Sequence, residues 1–329
     1  MSNEKKKSFR KIAAELSLSP ATVSRIAGGV GSYSESTRKT VINALLQAGY
    51  TIGGETYDAP KTVAAVVTDL SNEIYAAVLS ALGRYLSREG ILLEIHMESR
   101  DQQPLIRLLE EQHRDGLILV GSPEIPLDTD SLIPAVRVLS ASEVRYCGVQ
   151  YTVRSDEYVG GKLAARELLN HGVTTPVILN TRHTDKTDSL RIRGFLDEWA
   201  AFGKAADSVY IHDGEPYKSS FNSARDIISY LLAKEQTFDA VFACSDWRAY
   251  GALIALKSLN VSVPEAVKVI GFDGSRVSRY SELPFSTIQQ NPDLLATYTL
   301  RLLLPLIKGA VPEKETLLAP LQVQHGLSV

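Results

Sequence analysis

Between Ser19 and Gly28 the chain reads Ser-Pro-Ala-Thr-Val-Ser-Arg-Ile-Ala-Gly, side chains suited to reading a hydrogen-bonding edge. Ser19 can cap a helix, and Pro20 can fill its first turn, where a missing N–H costs little. Val23 and Ile26, three apart, would share the buried face and leave Pro20, Ala21, Ser24 and Arg25 on the other side. That outward row could meet a DNA groove. Arg25 could grip a guanine with two donors, Pro20 and Ala21 could touch a thymine methyl, and Thr22, Ser24, Lys39 and the Lys5-Lys6-Lys7 arm could reach phosphates.

Bond-making chemistry is harder to find. No GxxxxGK[ST], GxSxG or HExxH occurs, and the six histidines are scattered. Gly29-Val-Gly31 opens like a dinucleotide fingerprint, but Ser34 stands where the third glycine belongs and the run follows a helix instead of a strand. An enzyme is not expected, and neither is a cofactor or a metal.

Helices must hold the Ser19 row in place. Phe9, Ile12, Ala13 and Leu16 keep helical spacing, and Ser17-Leu18 leaves only a tight turn before Ser19, which makes a helix-turn-helix. A third helix follows, capped by Ser34, with Val41, Leu45 and Ala48 buried and Gly49-Tyr50 as its stop. A plain helical bundle would show the same periodicity.

Charge separates this end from the remainder. Residues 1–50 carry eight Lys/Arg against three Glu, whereas the whole chain of 329 residues has 35 basic and 38 acidic groups and a net charge of -3. A basic head on an acidic body suits phosphate binding at one end only. Cys147 and Cys244 have no CxxC or close histidine partner and read as core residues in a reducing compartment. No apolar signal core or run of membrane-spanning length occurs, so the protein is expected to be cytoplasmic.

Beyond a Gly- and Pro-containing linker at 51–61, apolar strand-like runs alternate with amphipathic helices. A strand from Thr62 is followed by a helix at 74–87, a strand at 91–95, a helix at 105–112 and a strand at 116–120. The pattern resumes with helices at 162–170, 189–202, 223–233 and 247–259 and strands at 176–179, 208–212, 240–244 and 267–272. A helix at 294–307 and a last strand at 318–323 close the chain. Such alternation implies parallel sheets flanked by helices, with ligands beyond the carboxyl ends of the strands. Two series suggest two lobes.

Ala13, Ser19, Thr22, Val23, Ser24, Arg25, Ser34, Thr37, Arg38, Gly49 and Tyr50 together resemble the headpiece of the LacI/GalR family of bacterial transcriptional regulators. The resemblance continues through Asp69-Leu70-Ser71-Asn72, Asp115-Gly116-Leu117-Ile118-Leu119, Arg191-Ile192-Arg193-Gly194-Phe195, the Ser245-Asp246 segment up to Ala252, and Val269-Ile270-Gly271-Phe272-Asp273. It implies an α/β fold with a three-helix headpiece at 1–50, an atypical hinge at 51–61, and a two-lobed core like that of periplasmic binding proteins. One lobe would comprise 62–158 and 289–318, the other 159–288 and 319–329.

The resemblance also implies a homodimeric repressor on palindromic operator DNA, whose affinity is set by a small molecule between the lobes. A sugar or sugar derivative is the first expectation, and a nucleobase or nucleoside the alternative, kept open by Trp247. A solute-binding protein of the same two-lobed fold is a further alternative. Carboxylates accept paired hydroxyls, a guanidinium donates a fork, and aromatic faces cover a ring. Asp69, Tyr75, Arg191, Asp246 and Asp273 are such groups at the family's effector-contacting positions. Asp69 and Asp246 could instead cap the helices that follow them.

Three departures stand out. The linker reads Ile52-Gly53-Gly54-Glu55-Thr56-Tyr57-Asp58, without the family's leucine wedge, for which Tyr57 is a possible substitute. Gly28 stands where an Asn usually reads DNA, and Ser245 replaces the Asn beside Asp246. The last expected strand, 318–323, lies close to the end of the sequence, so the tetramerising tail that the resemblance implies for some members is not expected here.

Overall fold

The computed structural model describes residues 7–29, 33–50, 52, 61–98, 114–121, 133–139, 149–180, 189–214 and 218–329. The expected helix at 105–112, Lys5, Lys6, Tyr57 and Cys147 lie outside them. The chain forms two compact units, Met1–Lys61 and Thr62–Val329.

The first unit holds α1 (Phe9–Glu15), α2 (Pro20–Ala27) and α3 (Glu35–Gln47). Ile12, Ala13, Val23, Ile26, Val41 and Leu45 form its core, and the Phe9 and Tyr50 rings meet edge to face with centroids 4.8 Å apart. Ser17 takes a φ of 55°, letting Leu18 N–H reach back to the Ala13 carbonyl at 2.8 Å and turn the chain sharply into α2.

The second unit contains two six-stranded sheets. The first runs through β1 (Thr62–Val67), β2 (Leu92–Met97), β3 (Gly116–Val120), β4 (Ala135–Val138), β5 (Tyr151–Ser155) and β11 (Thr316–Ala319), in the order β11-β5-β4-β3-β1-β2, all parallel. The second comprises β6 (Pro176–Asn180), β7 (Tyr210–Asp213), β8 (Ala240–Ala243), β9 (Lys268–Asp273), β10 (Ser286–Gln289) and β12 (Gln322–Gln324), in the order β12-β10-β9-β8-β6-β7. Only β12 is antiparallel to its neighbour.

Each sheet therefore repeats one doubly wound order, with a switch point at β1/β3 in the first lobe and at β6/β8 in the second. α4 (Glu73–Arg88) follows β1; α5 (Glu157–Asn170), α6 (Leu190–Ala201), α7 (Ser220–Ala233), α8 (Asp246–Ser258) and α9 (Arg276–Tyr280) lie in the second lobe; α10 (Pro292–Ile307) returns to the first. There Leu295, Ala296 and Leu303 pack with Val78 and Leu82 of α4 in one buried cluster. The second lobe carries an apolar cluster on each face of its sheet, one around Leu179, Val241 and Phe285, the other around Phe195, Phe242 and Phe272.

The expected last strand at 318–323 is in fact two. Pro320 lacks an N–H to extend a ladder. The chain changes sheets there, so β11 ends one lobe and β12 begins in the other.

Candidate functional site

On the first unit, the Ser19 hydroxyl accepts the Thr22 N–H at 3.0 Å and lies 2.8 Å from the Thr22 hydroxyl. This cap and Pro20 start α2 and bury Val23 and Ile26, while Ser19, Pro20, Ala21, Ser24, Arg25 and Lys39 are all exposed. Thr22 is half-buried, its hydroxyl turned into the cap. Lys7 is tied to Glu15 at 3.2 Å, away from the α2 row in sequence.

The second unit gathers its charged groups at strand ends. Arg191 sits in the first turn of α6, and the depth of that helix is set by glycines. A Cβ on Gly161 would lie 2.0 Å from the Arg191 carbonyl oxygen, and one on Gly194 would lie 2.0 Å from that of Tyr158. Helices α5 and α6 thus cross backbone to backbone, and the Arg-x-x-Gly-Phe element has a packing reason: Phe195 stacks on Phe242 with centroids 5.2 Å apart.

That placement aims the Arg191 guanidinium. Its Nη2 and Nε donate to Glu157 Oε1 at 2.6 and 3.2 Å, its Nη1 donates to the Cys244 carbonyl at 2.6 Å, and its face lies 3.8 Å over the Phe272 ring. Nη1 also stands 3.7 Å from Asp273 Oδ1. Despite the cost of burial, Glu157 and Asp273 hold its pKa above the ordinary arginine value.

Asp273 adopts a φ of 126°, outside the usual range for a side chain other than glycine. Such strain costs about 1–3 kcal/mol and persists only where neighbours hold it. Gln290 does so from both groups, its backbone N–H donating to the Asp273 carbonyl at 3.0 Å and its side-chain amide Nε2 to Asp273 Oδ1 at 2.9 Å. Gln290 Oε1 in turn accepts the Ser155 hydroxyl at 2.6 Å, joining the end of β5 in the first lobe to β9 in the second. Burial lifts the Asp273 carboxyl to about 6, against the downward pull of Arg191.

Tyr75 completes the meeting of lobes. It comes from α4 and feels the charges of Arg191, Asp273, Glu157 and Asp69, and burial raises its pKa. Gly121, with a φ of 81°, leaves its ring room, since a Cβ there would stand 3.1 Å from it. Asp69 is exposed at the end of β1, where its Oδ1 accepts the Ser71 N–H at 2.8 Å and hydroxyl at 2.6 Å. The cap of α4 is Asn72.

Asp246 stands apart from these four. It has no exposed surface; Oδ2 accepts the Ser275 N–H at 2.6 Å and hydroxyl at 3.0 Å, and Oδ1 accepts the Thr287 hydroxyl at 2.6 Å. Burial and then the Asp273 charge push its pKa up to about 8, while those hydrogen bonds pull it down. It braces the ends of β9 and β10 in this conformation. Ser245, not Asp246, caps α8.

Glu157 and Gln290 join the candidate site through Arg191 and Asp273, and sequence reasoning does not single them out. Asn180 ends β6 at the switch point, and the strand-end rule that selects Asp69 would have selected it too. Glu157 and Gln290 carry no such signal. Of the two cysteines, Cys244 is buried, its thiol pushed up to about 12 by desolvation.

Residues 165–329 match the periplasmic binding protein-like domain family. The HTH-type transcriptional regulator GalR of Salmonella typhimurium strain LT2 is 29% identical, over 97% of this chain and 96% of that protein. The HTH-type transcriptional regulator CelR of Thermobifida fusca is 27% identical over 95% of each chain. A solved CelR–cellobiose complex aligns with a TM-score of 0.69 at 26% identity, covering 98% of this chain and 100% of that one. The Lac repressor bound to ONPG shares the fold, with a TM-score of 0.72 at 19% identity over 99% and 100% of the two chains. The relatives named are regulators, not enzymes. A helix-turn-helix unit, paired doubly wound lobes and end-to-end similarity to such regulators lead to one assignment: this chain belongs to the LacI/GalR family of transcriptional regulators, with a periplasmic-binding-protein-like core.

Proposed function

We propose that the protein is a repressor that binds a two-fold-symmetric operator as a homodimer and changes its operator affinity when a sugar or sugar derivative enters between the core lobes. The observation that carries this is the convergence of Tyr75 from one lobe with Arg191 and Asp273 from the other, tied by Gln290 at the crossover between them, in a chain that also exposes Ser24 and Arg25 on a helix-turn-helix. A ligand bridging those groups would alter the angle between lobes, and a coupling of about 1–3 kcal/mol gives a 5–150-fold change in DNA affinity.

Pairing of subunits has its own support. Strand β2 is a sheet edge, and its Leu92, Ile95 and Met97 are exposed at 56%, 47% and 52%. An apolar edge left open invites another chain. A nucleoside effector is the second reading, favoured by Trp247, which is 46% exposed in the first turn of α8.

Fluorescence polarisation with a labelled palindrome tests the proposal, with and without added sugars. Arg25→Ala is expected to cost about 1–3 kcal/mol on the cognate site and to erase discrimination between operators. Arg191→Ala is expected to keep operator binding and lose the effector response. Both variants binding and responding like the parent would refute these roles.

A further inference from the structure

We infer that Asn180 is a specificity-determining residue of the effector site, where its Oδ1 accepts a hydrogen bond from one hydroxyl of the ligand. This rests on the reading of the cleft between the lobes as the effector site and adds a residue to it.

Strand register brings Asn180 beside Arg191. Ile178 of β6, Phe242 of β8, Cys244 just past it and Phe272 of β9 all belong to the apolar cluster on one face of the second sheet. Side chains two apart along a strand share a face, so Asn180, at the carboxyl end of β6, lies on the face of Ile178. Leu179 pairs with Ala243, and the Cys244 N–H donates to the Leu179 carbonyl at 2.9 Å, which sets Asn180 next to Cys244. The Cys244 carbonyl takes Arg191 Nη1 at 2.6 Å, and Phe272 carries the guanidinium 3.8 Å above its ring. Asn180, Cys244 and Phe272 therefore form one row across three strand ends, with Arg191 over two of them.

The amide is held in one orientation. Asn180 is 1% exposed, and its Nδ2 donates to Asp213 Oδ1 at 2.9 Å. A carboxylate only accepts, so the atom that meets Asp213 is the nitrogen, and the oxygen is the amide's other end. The backbone is pinned as well, since Arg248 Nε donates to the Asn180 carbonyl at 2.6 Å. Gly214 leaves that arginine its place, because a Cβ there would stand 2.6 Å from Nη2. Side-chain Oδ1 has no hydrogen-bond partner among the described residues.

A buried acceptor left without a proton is costly. An amide oxygen at the ligand end of a parallel sheet, next to the guanidinium of the candidate site, is placed to receive one from what the cleft encloses. On a sugar or a nucleoside that donor is a hydroxyl.

Calorimetric titration of the full chain tests this with glucose, galactose, ribose, cellobiose and adenosine, each against its own monodeoxy forms. For each of these that binds, one deoxy form is expected to bind at least about tenfold more weakly than the complete ligand, because Oδ1 then stays buried without a proton. In Asn180→Ala that difference is expected to shrink to less than about twofold, while the losses at the other positions keep their size. Asp213→Asn, at an exposed position, keeps Asn180 in place but no longer dictates which end of its amide faces the ligand. It is expected to reduce the loss at the same hydroxyl at least about threefold, and it serves alone if Asn180→Ala does not fold. Equal losses at every position in the parent and the variants overturn the inference and leave the effector reading standing, since Oδ1 then takes its proton from within the protein. No binding by any of the five ligands, with operator binding intact, overturns the effector reading and this inference with it.

Discussion

The backbone N–H of Arg276 donates to the carboxylate of Glu73 at 3.0 Å, so the first residue of α9 in one lobe is held by the first residue of α4 in the other. The two are 203 positions apart in sequence. A charged acceptor at a half-exposed contact is worth about 1 kcal/mol, a factor of roughly five in a two-state balance. Glu73→Ala is therefore expected to shift the ligand-free core towards a wider separation of lobes. Spin labels on α4 and α9 would read the distance, and Glu73→Gln, which keeps an acceptor oxygen, should restore the shorter one. Identical distance distributions in all three proteins would refute the latch.

Gly194, like Gly161, has no room for a Cβ, with the Tyr158 carbonyl oxygen 2.0 Å from where it would stand. Gly194→Ala must push α5 and α6 apart, at a cost of at least about 1–3 kcal/mol. Because α6 carries Arg191, effector affinity should fall together with the melting temperature. Ala164→Gly, on α5 and away from the effector groups, is expected to lower the melting temperature alone.

Stability should also depend on pH in an unusual direction. Burial holds the Asp246 carboxyl at about 8, above the ordinary aspartate value of 3.8, so between those limits the native protein binds more protons than the unfolded chain. Its contribution is complete below the unfolded value and is lost as pH rises through about 8. Urea unfolding between pH 6 and 8 is expected to show declining stability, and Asp246→Asn, though less stable throughout, should flatten that slope. Asp273, at about 6, adds the same sign at lower pH. An unchanged slope in Asp246→Asn would rule out this origin.

The open β2 edge makes subunit pairing testable apart from DNA. Ile95 is 47% exposed, so Ile95→Asp costs the isolated fold little. Sedimentation velocity is expected to show a dimer for the parent and a monomer for the variant, with operator affinity falling at least tenfold. A dimeric variant would move the interface elsewhere.

How far the site was readable differs residue by residue. Ser19, Pro20, Val23 and Ile26 sit within two helical turns of one another, and local propensity with helical spacing was enough to predict which side α2 buries. Alternating apolar runs likewise announced parallel sheets. Strands β4, β5 and β10 are not legible in the sequence, because Arg137, Thr152, Arg154, Ser286, Thr287 and Gln289 break up the continuous apolar run that marks the equally short β3, β6 and β8.

Arg191 meets Glu157 across 34 positions, and Ser155 meets Gln290 across 135; nothing near either residue marks the pairing. Sequence by itself determined the headpiece helices, the strongly apolar strands, the basic headpiece and the strand-end position of Asp69 and Asp273, since those follow from spacing within one segment. Tertiary structure alone decided that Asp246 is a buried brace while Asp273 faces Arg191 and Tyr75, and that Glu157 neutralises Arg191. Those outcomes depend on which strand ends lie side by side, and that order is settled by packing two lobes together.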